Sequence, residues 1–361
     1  MSDKINVGIL GATGMVGQNY IRLLHNHPMF RVTHVAASPA SAGKTYANAV
    51  SNRWLMDIDI SEEVKNLTVA DANDPVAASG KCSLVFSAVS LDKSLTSKLE
   101  SDYAAAGFAV VSNNSAHRAT LDVPMVIPEI NPDHLDIIPM QRKNHGWSKG
   151  CIVVKSNCSI QSYMTPIYAL MRSGLPIRRM IVSTLQALSG AGYPGPSAFD
   201  MIDNVIPFIN GEEEKSEREP LKILGSVCGG VIEPSAGPLI SAHCNRVPVI
   251  HGHLACVSVQ FEKRIPSCEE IIAVWENFKA LPQELNLPFA PQHPLIYRKE
   301  NDRPQPRKDR NAEKAMSVVL GRLRKCNVLD YRFVGLHHNT VRGAAGGCIL
   351  VAELLKEKGY I

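Results

Sequence analysis

Short apolar runs alternate with longer amphipathic stretches along the first third of the chain. The runs are typical of buried strands, and the stretches between them carry apolar residues at helical spacing. The predicted strands are residues 5–10, 31–37, 84–87 and 109–112, and the predicted helices are residues 16–25 and 91–106. Strand and helix in alternation predict an α/β domain, in which a parallel sheet carries helices on both faces.

The pattern changes after residues 128–132, Pro-Glu-Ile-Asn-Pro, where two prolines mark a predicted domain boundary. The apolar runs that follow are longer and more alternating, which predicts a mixed α+β domain. Its predicted strands are residues 247–261 and 316–320, and its predicted helices are residues 163–171 and 267–280. Residues 343–358 again have the spacing of a helix. We therefore divide the chain into residues 1–134, residues 135–338 and a C-terminal helical segment, residues 339–361.

Composition and charge exclude several classes of protein. Of the 361 residues, 45% are hydrophobic and 20% are charged, as in globular chains and unlike disordered or fibrous ones. A net charge of +4 is too weak an excess for a nucleic-acid-binding protein. No apolar stretch reaches the ~18 residues of a membrane span, and the first apolar run resembles a strand rather than a signal peptide. We expect a cytoplasmic protein that binds neither nucleic acid nor membrane.

The nine cysteines are odd in number and scattered, without a C-x-x-C pair. This pattern favours reduced thiols in a cytosolic setting over a disulfide framework. The sequence also shows no spacing that would predict a metal site.

A glycine-rich turn follows the first predicted strand. Residues 11–17 read Gly-Ala-Thr-Gly-Met-Val-Gly and open the first predicted helix, which is the context that dinucleotide binding requires. Glycines allow a sharp turn and a close approach of a pyrophosphate, whose charge the helix N-terminus stabilises. A purely structural turn is the alternative. The candidate cofactor contacts are Gly11, Thr13, Gly14, Met15 and Val16.

The end of the second predicted strand distinguishes NAD from NADP. NAD-binding sheets usually carry Asp or Glu there, which accepts hydrogen bonds from the ribose hydroxyls. Residues 36–44 read Ala-Ala-Ser-Pro-Ala-Ser-Ala-Gly-Lys and contain no acid. Ser38, Ser41 and Lys44 suit a 2′-phosphate, so the sequence favours NADP(H). Alternatively, the two serines only shape the turn.

Cys158 lies in Ser-Asn-Cys-Ser, between an apolar run at 151–154 and a predicted helix. A cysteine at a helix N-terminus has a lowered thiol pKa, because the terminal N–H groups stabilise the thiolate. Most of the other cysteines lie in apolar runs, where cysteine is commonly a small buried residue. Local sequence makes Cys158 a candidate nucleophile and leaves a structural role open.

Two histidines lie in the predicted strand at 247–261. The two-residue period of a strand puts His251 and His253 on one face, so both could point into a cleft. A histidine there could act as acid or base towards Cys158. Either could equally be a structural histidine.

Other polar clusters could belong to a functional site or to a solvated surface. Gln186 and Arg246 are candidate site residues, and the acidic run at 212–214 fits either a site or a solvated helix face. The basic segment 298–310 fits either a solvated loop or an arm that contacts an anion. Neither segment identifies a ligand by itself.

Seven segments, taken in order, have counterparts in one known family. They are Gly-Ala-Thr-Gly at 11–14, Ser-Asn-Cys-Ser at 156–159, Gln-Ala-Leu-Ser-Gly-Ala-Gly at 186–192, Gly-Glu-Glu-Glu-Lys at 211–215, Cys-Asn-Arg-Val at 244–247, Gly-His at 252–253 and His-Asn-Thr-Val-Arg-Gly-Ala-Ala-Gly at 338–346. Together they resemble the aspartate-semialdehyde dehydrogenases, specifically the fungal and archaeal branch, over nearly the whole chain. The resemblance implies an N-terminal NADP-binding Rossmann domain, an α+β domain for catalysis and dimerisation, and a C-terminal helix that returns to the Rossmann domain. It also implies a homodimer or a homotetramer.

The resemblance implies a reaction as well: reductive dephosphorylation of L-4-aspartyl phosphate by NADPH, through a thioacyl-enzyme on Cys158. The product is L-aspartate 4-semialdehyde, on the route to threonine, methionine and, by some routes, lysine. The implied substrate and catalytic residues are His253 as acid/base, Gln186 to orient the acyl group, Arg246 for the α-carboxylate, Glu212 (or Glu213) for the ammonium, and Lys215 and Arg118 for the phosphate. Further implied cofactor contacts are Ser87, Gly190, Asn339, Thr340 and Gly343.

Two segments depart from the family's pattern. The family often has acidic residues on either side of the active-site histidine, where this chain has His251 and Ala255. Residues 160–162, which follow the Ser-Asn-Cys-Ser motif, read Ile-Gln-Ser instead of a run of small residues. We expect these changes to tune His253 and the substrate pocket.

Three alternatives share parts of this pattern. N-acetylglutamyl-phosphate reductase and malonyl-CoA reductase have the same fold, a thioacyl intermediate and NADPH. Arg246 with an acidic partner at 212 favours a free amino acid, since an N-acetylated one has no ammonium. A non-catalytic NADP-responsive regulator is the third alternative, which the intact set of Cys158, Gln186, Arg246 and His253 disfavours.

Overall fold

The structure, a computed structural model, describes residues 4–361, so the first three residues of the predicted first domain lie outside the described residues. The described chain forms a seven-stranded sheet, a six-stranded sheet and a two-stranded ribbon. The strands are β1 Ile5–Leu10, β2 Phe30–Ala37, β3 Ala70–Asp71, β4 Leu84–Ser87, β5 Ala109–Ser112, β6 Met125–Val126, β7 Cys151–Lys155, β8 Ile177–Gln186, β9 Ser226–Cys228, β10 Val231–Glu233, β11 Leu239–Arg246, β12 His253–Phe261, β13 Leu295–Arg298, β14 Val318–Lys325 and β15 Tyr331–His337. The α-helices are α1 Met15–Leu24, α2 Tyr46–Val50, α3 Glu62–Lys65, α4 Lys93–Ala105, α5 Ile138–His145, α6 Met164–Arg172, α7 Ala198–Met201, α8 Glu212–Ile223, α9 Cys268–Glu276, α10 Leu281–Glu284, α11 Pro306–Asp309, α12 Ala312–Ala315 and α13 Gly346–Glu357.

The first sheet is parallel throughout, with strand order β3-β2-β1-β4-β5-β7-β6. Its central strands β4 and β5 are buried along their whole length, as expected of a parallel sheet that is covered on both faces. The predicted bounds of β1, β4 and β5 agree with the structure, and those of β2 and α1 differ by one residue. The α/β class of the N-terminal part is confirmed.

The first sheet continues past the predicted domain boundary at residue 134. β7 pairs in parallel with β5, with Ala109 opposite Cys151, and β6 pairs with β7 in turn. Prolines at 128 and 132 interrupt the local pattern, but the completely buried run Cys151–Lys155 still inserts into the first sheet. The division at residue 134 stays a prediction, whereas the strands of the first sheet extend to residue 155.

The second sheet is mixed, with strand order β11-β8-β12-β15-β14-β13. β11 is parallel to β8 and β13 to β14, whereas the other neighbours are antiparallel. The α+β class of this part is confirmed, but one strand expectation is wrong. The strand predicted from residue 247 begins at His253, because Gly252 turns the chain with a φ of 105°.

The C-terminal helix α13 returns to the first sheet, as predicted. It is buried over nearly its whole length and contacts α1, β5 and β7. Its apolar side chains share one core cluster with those of β1 and α1. A wider π-helical turn, Val341–Ala345, precedes it and occupies the start of the predicted helix. Among residues 4–361, no helix is both long and apolar enough to cross a membrane.

Candidate active site

Strand ends from both sheets converge on one place. The parallel strands β8 and β11 end side by side at Gln186 and Arg246, which are paired in register. β12 is antiparallel to β8 and therefore begins at the same edge, with His253 as its first residue. β7 of the first sheet ends at Lys155, just before Cys158. The topology thus brings Cys158 to a histidine that is 95 residues away in the sequence.

The candidate nucleophile and His253 are in contact. Cys158 Sγ lies 3.4 Å from His253 Nε2, and Nδ1 of the same ring accepts a hydrogen bond from the Ala187 N–H at 3.0 Å. A neutral imidazole that accepts at Nδ1 carries its proton on Nε2, so that N–H points at the sulfur. Burial, followed by the charge of Arg246, holds the pKa of His253 well below its usual range. The ring therefore presents a neutral hydrogen-bond donor to the sulfur of Cys158.

The expectation that the Cys158 thiol has a lowered pKa is wrong. Its pKa is raised, not lowered, first by burial and next by the carboxylate of Glu212, while nearby cations led by Lys155 act in the opposite direction. The predicted helix-terminus effect fails because Cys158 precedes only a single 3₁₀ turn, Ser159–Ser162, and not the α6 helix itself.

Helix α8 supplies the acidic side of the site. Glu212, in its first turn, is buried and accepts hydrogen bonds from Asn157 Nδ2 at 2.8 Å and Gln186 Nε2 at 3.0 Å. The Oε1 atom of Gln186 is buried and has no partner among the described residues, which leaves it available to a ligand. Glu213 instead accepts a hydrogen bond from the Cys244 N–H at 3.0 Å. Of the two acidic residues that the sequence left open, Glu212 is therefore the one that contacts Asn157 and Gln186. Its contact with a substrate ammonium stays a prediction.

Three cations implied for the substrate surround this centre. Arg246 is only 7% exposed and donates from Nη1 to a backbone carbonyl at 2.8 Å. Lys215 Nζ is paired with Glu212 at 2.9 Å. Arg118 Nη1 is paired with Glu219, also at 2.9 Å. Each of the two cations implied for the phosphate therefore already has a carboxylate partner on α8.

The glycine-rich turn fits a dinucleotide. Gly11 has a φ of 78°, and a Cβ atom there would overlap the carbonyl oxygen of Ala88, so only glycine fits. Gly14 precedes α1 without any side-chain cap, and the first turn of α1 holds no acidic residue. The N–H groups at this helix end are therefore open to a pyrophosphate. The other predicted contacts in the same turn are Thr13, Met15 and Val16.

The turn after β2 carries the residues predicted for the 2′-phosphate. Ser38 and Lys44 are exposed, Ser41 is buried, and the Lys44 ammonium donates to the Ala40 carbonyl at 3.0 Å. The guanidinium of Arg53 approaches the same turn, with Nη2 3.4 Å from Ser41 Oγ. Arg53 was not predicted, because it follows a separate short helix and the sequence shows no sign that the chain returns there.

Two residues predicted near the nicotinamide are engaged with protein groups. Asn339 accepts a hydrogen bond from the Gly252 N–H and donates one to Ser189 Oγ, both at 2.8 Å. Thr340 Oγ1 lies 3.3 Å from His338 Nδ1. Asn339 therefore holds together the loops that flank His253, and its contact with a cofactor stays a prediction.

Two glycines of the predicted cofactor set lie against side chains of the site. A Cβ atom at Gly190 would lie 2.9 Å from Arg246 Nη1, and one at Gly343 would lie 3.1 Å from Cys158 Cβ. These close approaches leave little space for a side chain at either position. Ser87, at the end of β4, is completely buried. Contact of these three residues with a cofactor stays a prediction.

His251 does not lie where the strand period would place it. It precedes β12, its Nδ1 is 2.9 Å from Ser189 Oγ, and its ring stacks on His338 at 5.2 Å. Burial, followed by the charge of Arg310, lowers its pKa. The expectation that His251 and His253 share one strand face is wrong.

Two buried residues of the site were not predicted. Lys155 is 2% exposed and donates to the Ser156 carbonyl at 2.6 Å, and burial lowers its pKa to about 8. His337 lies opposite His253 in the β12–β15 pair, with ring centroids 5.8 Å apart. Neither ring nitrogen of His337 has a partner among residues 4–361. Both residues end apolar strands, and nothing in their local sequence indicates a site.

A cleft of about 680 Å³ adjoins the site between α1 and the loops of the second domain. Within the basic segment 298–310, Arg298 and Arg303 pair with the buried Asp309. Only Arg310 of this segment lines the cleft.

Within residues 4–361, no three His, Cys, Asp or Glu side chains are placed to hold a metal ion.

Known proteins share this sequence and fold. Profiles described as semialdehyde dehydrogenase, NAD binding domain, and semialdehyde dehydrogenase, dimerisation domain, match residues 6–138 and 167–342. Aspartate-semialdehyde dehydrogenase of Schizosaccharomyces pombe is 44% identical over 98% of this chain and 99% of its own. Malonyl CoA reductase (NADP) of Metallosphaera sedula is 40% identical over 100% of this chain and 99% of its own. The crystal structure of aspartate semialdehyde dehydrogenase with NADP from Candida albicans aligns with a TM-score of 0.89 at 37% identity, over 99% of this chain and 100% of that one.

The structure combines a parallel sheet that has an open glycine-rich turn with a mixed sheet, and a cysteine that follows the first sheet contacts a histidine of the second. This combination is typical of a nucleotide-dependent oxidoreductase. The matched profiles and the full-length identity are more specific. The chain belongs to the semialdehyde dehydrogenase family. The resemblance seen in the sequence motifs is thereby confirmed.

Proposed function

We propose that the chain is an NADPH-dependent aspartate-semialdehyde dehydrogenase. It converts L-4-aspartyl phosphate to L-aspartate 4-semialdehyde and phosphate in the cytoplasm, on the route to threonine, methionine and, by some routes, lysine. The observation that carries the proposal is the contact between Cys158 and His253, with Arg246 and Glu212 in the same site. This set offers a nucleophile, a hydrogen-bond donor and two opposite charges for an amino acid. The names of the relatives support the same reaction.

The first half-reaction moves the acyl group to sulfur. Cys158 attacks the carbonyl carbon of the acyl phosphate as the thiolate, a C–S bond forms, and the C–O bond to phosphate breaks. The proton of the Cys158 thiol ends on the departing phosphate. Phosphate leaves with the electron pair of that bond, and Lys215 and Arg118 stabilise its charge. The Nε2–H of His253 donates to the sulfur before the attack, which favours the thiolate.

The second half-reaction reduces the thioester on Cys158. When bound, NADPH supplies the hydride that this step requires. The tetrahedral adduct carries its negative charge on oxygen, and the Nε2–H of His253 is placed to stabilise that charge as a neutral donor. When the adduct collapses, the C–S bond breaks, the aldehyde leaves and the same N–H again donates to the thiolate. His253 acts here mainly as a donor, because its lowered pKa keeps the ring neutral.

Arg246 and Glu212 favour a free amino acid over the alternative substrates. The planar guanidinium of Arg246 matches a carboxylate with two parallel hydrogen bonds. Glu212 is buried and accepts a hydrogen bond from Gln186, whose strand ends beside Arg246. Neither an N-acetylated amino acid nor malonyl-CoA offers an ammonium to this carboxylate. We therefore favour aspartyl phosphate over both.

The end of β2 favours NADPH over NADH. Ser38, Ser41 and Lys44 are joined by Arg53, which gives the turn two cations. A charge-assisted hydrogen bond contributes roughly 1.5–3 kcal/mol, which corresponds to one to two decades of preference. The end of β2 carries no Asp or Glu that could accept hydrogen bonds from the ribose hydroxyls of NADH.

One assay with matched substrates tests the proposal. NADPH oxidation is measured with L-4-aspartyl phosphate, N-acetylglutamyl phosphate and malonyl-CoA, and the reverse reaction with semialdehyde, phosphate and NADP. Cys158→Ala should abolish turnover while NADPH binding, followed by fluorescence, survives. Cys228→Ala, at an exposed cysteine, is the control that should keep activity. Faster turnover of malonyl-CoA, or more than a trace of activity in Cys158→Ala, would refute the assignment.

We also propose that the chain works as a homodimer or a homotetramer. The second domain matches the dimerisation profile and exposes large apolar side chains, among them Phe199, Ile202, Phe208 and Ile250. Such side chains are expected to be covered in an assembly. Light scattering of the purified protein measures the mass, and a monomer at assay concentration would contradict the proposal.

A further inference from the structure

We propose that Glu219 is the counter-ion of the phosphate subsite and weakens the hold of Arg118 on phosphate, so that phosphate is released readily. Glu219 touches no reacting atom and acts only through Arg118. The inference rests on the proposed role of Arg118 in binding phosphate.

Glu219 bridges the nucleophile loop and the phosphate cation. It lies on α8 seven residues after Glu212, about 10 Å further along the helix, and is 7% exposed. Its Oε1 atom pairs with Arg118 Nη1 at 2.9 Å, and its Oε2 atom accepts the Asn157 N–H at 2.5 Å. Because Asn157 directly precedes Cys158, one buried carboxylate contacts both parts of the site that handle the acyl phosphate.

Arg118 is held in place by other groups as well. Lys222, also on α8, is 6% exposed and donates from Nζ to the carbonyls of Arg118 at 2.9 Å, Thr120 at 2.6 Å and Val123 at 2.8 Å. Arg118 Nη2 donates to the Asn113 carbonyl at 3.0 Å. The backbone and the second guanidinium nitrogen are therefore fixed without Glu219. Removal of the Glu219 charge changes the charge balance at Arg118 more than its position.

The consequence is electrostatic. Phosphate at Arg118 meets the carboxylate that already neutralises this cation, and the same holds at Lys215, which is paired with Glu212. A carboxylate a few ångströms from a dianion opposes its binding strongly where water is scarce. The subsite therefore stabilises the charge of the leaving group while it avoids a tight complex with the product. Glu219 sets this balance for Arg118.

Glu219→Gln tests the inference in the reverse reaction, the phosphate-dependent oxidation of semialdehyde by NADP. The KM for phosphate should fall by about tenfold, because one opposing charge is removed, and the KM for semialdehyde should change less than about twofold. Phosphate should inhibit the forward reaction more strongly in the same variant. Glu217→Gln is the matched control, since Glu217 lies on the same helix and accepts a backbone N–H, from Ala242 at 3.1 Å. It should leave both KM values unchanged.

Glu219→Asp is the second variant. Its shorter side chain still carries an acceptor for the Asn157 N–H but withdraws from Arg118, so the KM for phosphate should again fall, by a smaller factor. A rise or no change in the KM for phosphate in either folded variant overturns the inference. If both variants fail to fold while Glu217→Gln folds, judged by circular dichroism, the role of Glu219 is structural and the inference is again overturned.

Arg118→Ala separates this inference from the proposed function. An unchanged KM for phosphate in Arg118→Ala shows that the proposed role of Arg118 itself is wrong. If the KM for phosphate rises strongly in Arg118→Ala but does not change in Glu219→Gln, Arg118 binds phosphate and only the proposed role of Glu219 is wrong.

Discussion

Replacing Glu212 by glutamine should make Cys158 more reactive towards alkylation in the enzyme without ligands. Glu212 is second only to burial among the causes that raise the pKa of this thiol. Glutamine keeps hydrogen-bonding atoms near Asn157 and Gln186, which both donate to Glu212, but removes the charge. The same change frees Lys215 from its carboxylate partner, and the released cation acts in the same direction.

The size of the effect follows from the charge that is lost. Two unit charges several ångströms apart interact by a few kcal/mol at an effective dielectric constant of about 20. Each ~1.4 kcal/mol changes the thiolate fraction tenfold, and partial access of water reduces the gain. We therefore expect an increase on the order of tenfold in the alkylation rate near neutral pH. Glu212 raises the pKa of the Cys158 thiol, so its replacement by glutamine should lower that pKa. The midpoint of the alkylation rate as a function of pH should therefore move to lower pH.

The assay is the pH dependence of alkylation by iodoacetamide, a neutral reagent that the site charges do not steer. Mass spectrometry assigns the modified residue, which should be Cys158. Glu213→Gln is the matched control, because Glu213 is adjacent in the sequence but bonds to the Cys244 N–H instead of facing the site. A profile that is unchanged, or shifted to higher pH, in Glu212→Gln would refute the electrostatic reasoning. An equal shift in Glu213→Gln would show that the effect is not specific to the site.

Three further predictions concern the site and the cofactor turn. His253→Ala should lower kcat by roughly 10²–10³, the usual loss of one oxyanion donor, whereas His251→Ala should change kcat little, and the opposite result would reverse the two roles. Arg246→Leu should lower kcat/KM for semialdehyde severely with an unchanged Kd for NADPH, and Arg246→Lys should restore only part, so a full rescue would show that charge alone matters. Arg53→Ala and Lys44→Ala should each reduce the preference for NADPH over NADH by about tenfold, measured as the ratio of kcat/KM, and unchanged ratios in both would remove these cations from the cofactor site.

Much of the first sheet could be predicted from the sequence because its signals are local. The bounds of β1, β4 and β5 follow from short apolar runs between polar or small residues. The turn at Gly11 is recognisable because its backbone conformation requires glycine. The motif around Cys158, together with the distant segments of the same family, indicated the candidate nucleophile, and the structure places its sulfur against His253.

What the sequence by itself determined about this protein is therefore its class, most elements of its first sheet and many of the chemical groups at the candidate site, although not Lys155, His337 or Arg53. The tertiary structure decided how those groups are paired and what their protonation is. Gly252 takes His251 out of the predicted strand and onto His338, and burial with Glu212 raises the thiol pKa that the local pattern predicted to be low. Desolvation and charge pairing depend on residues that are distant in the sequence, and no local period encodes them. The apolar strand β7 shows the same limit, because its place in the first sheet depends on its partner β5.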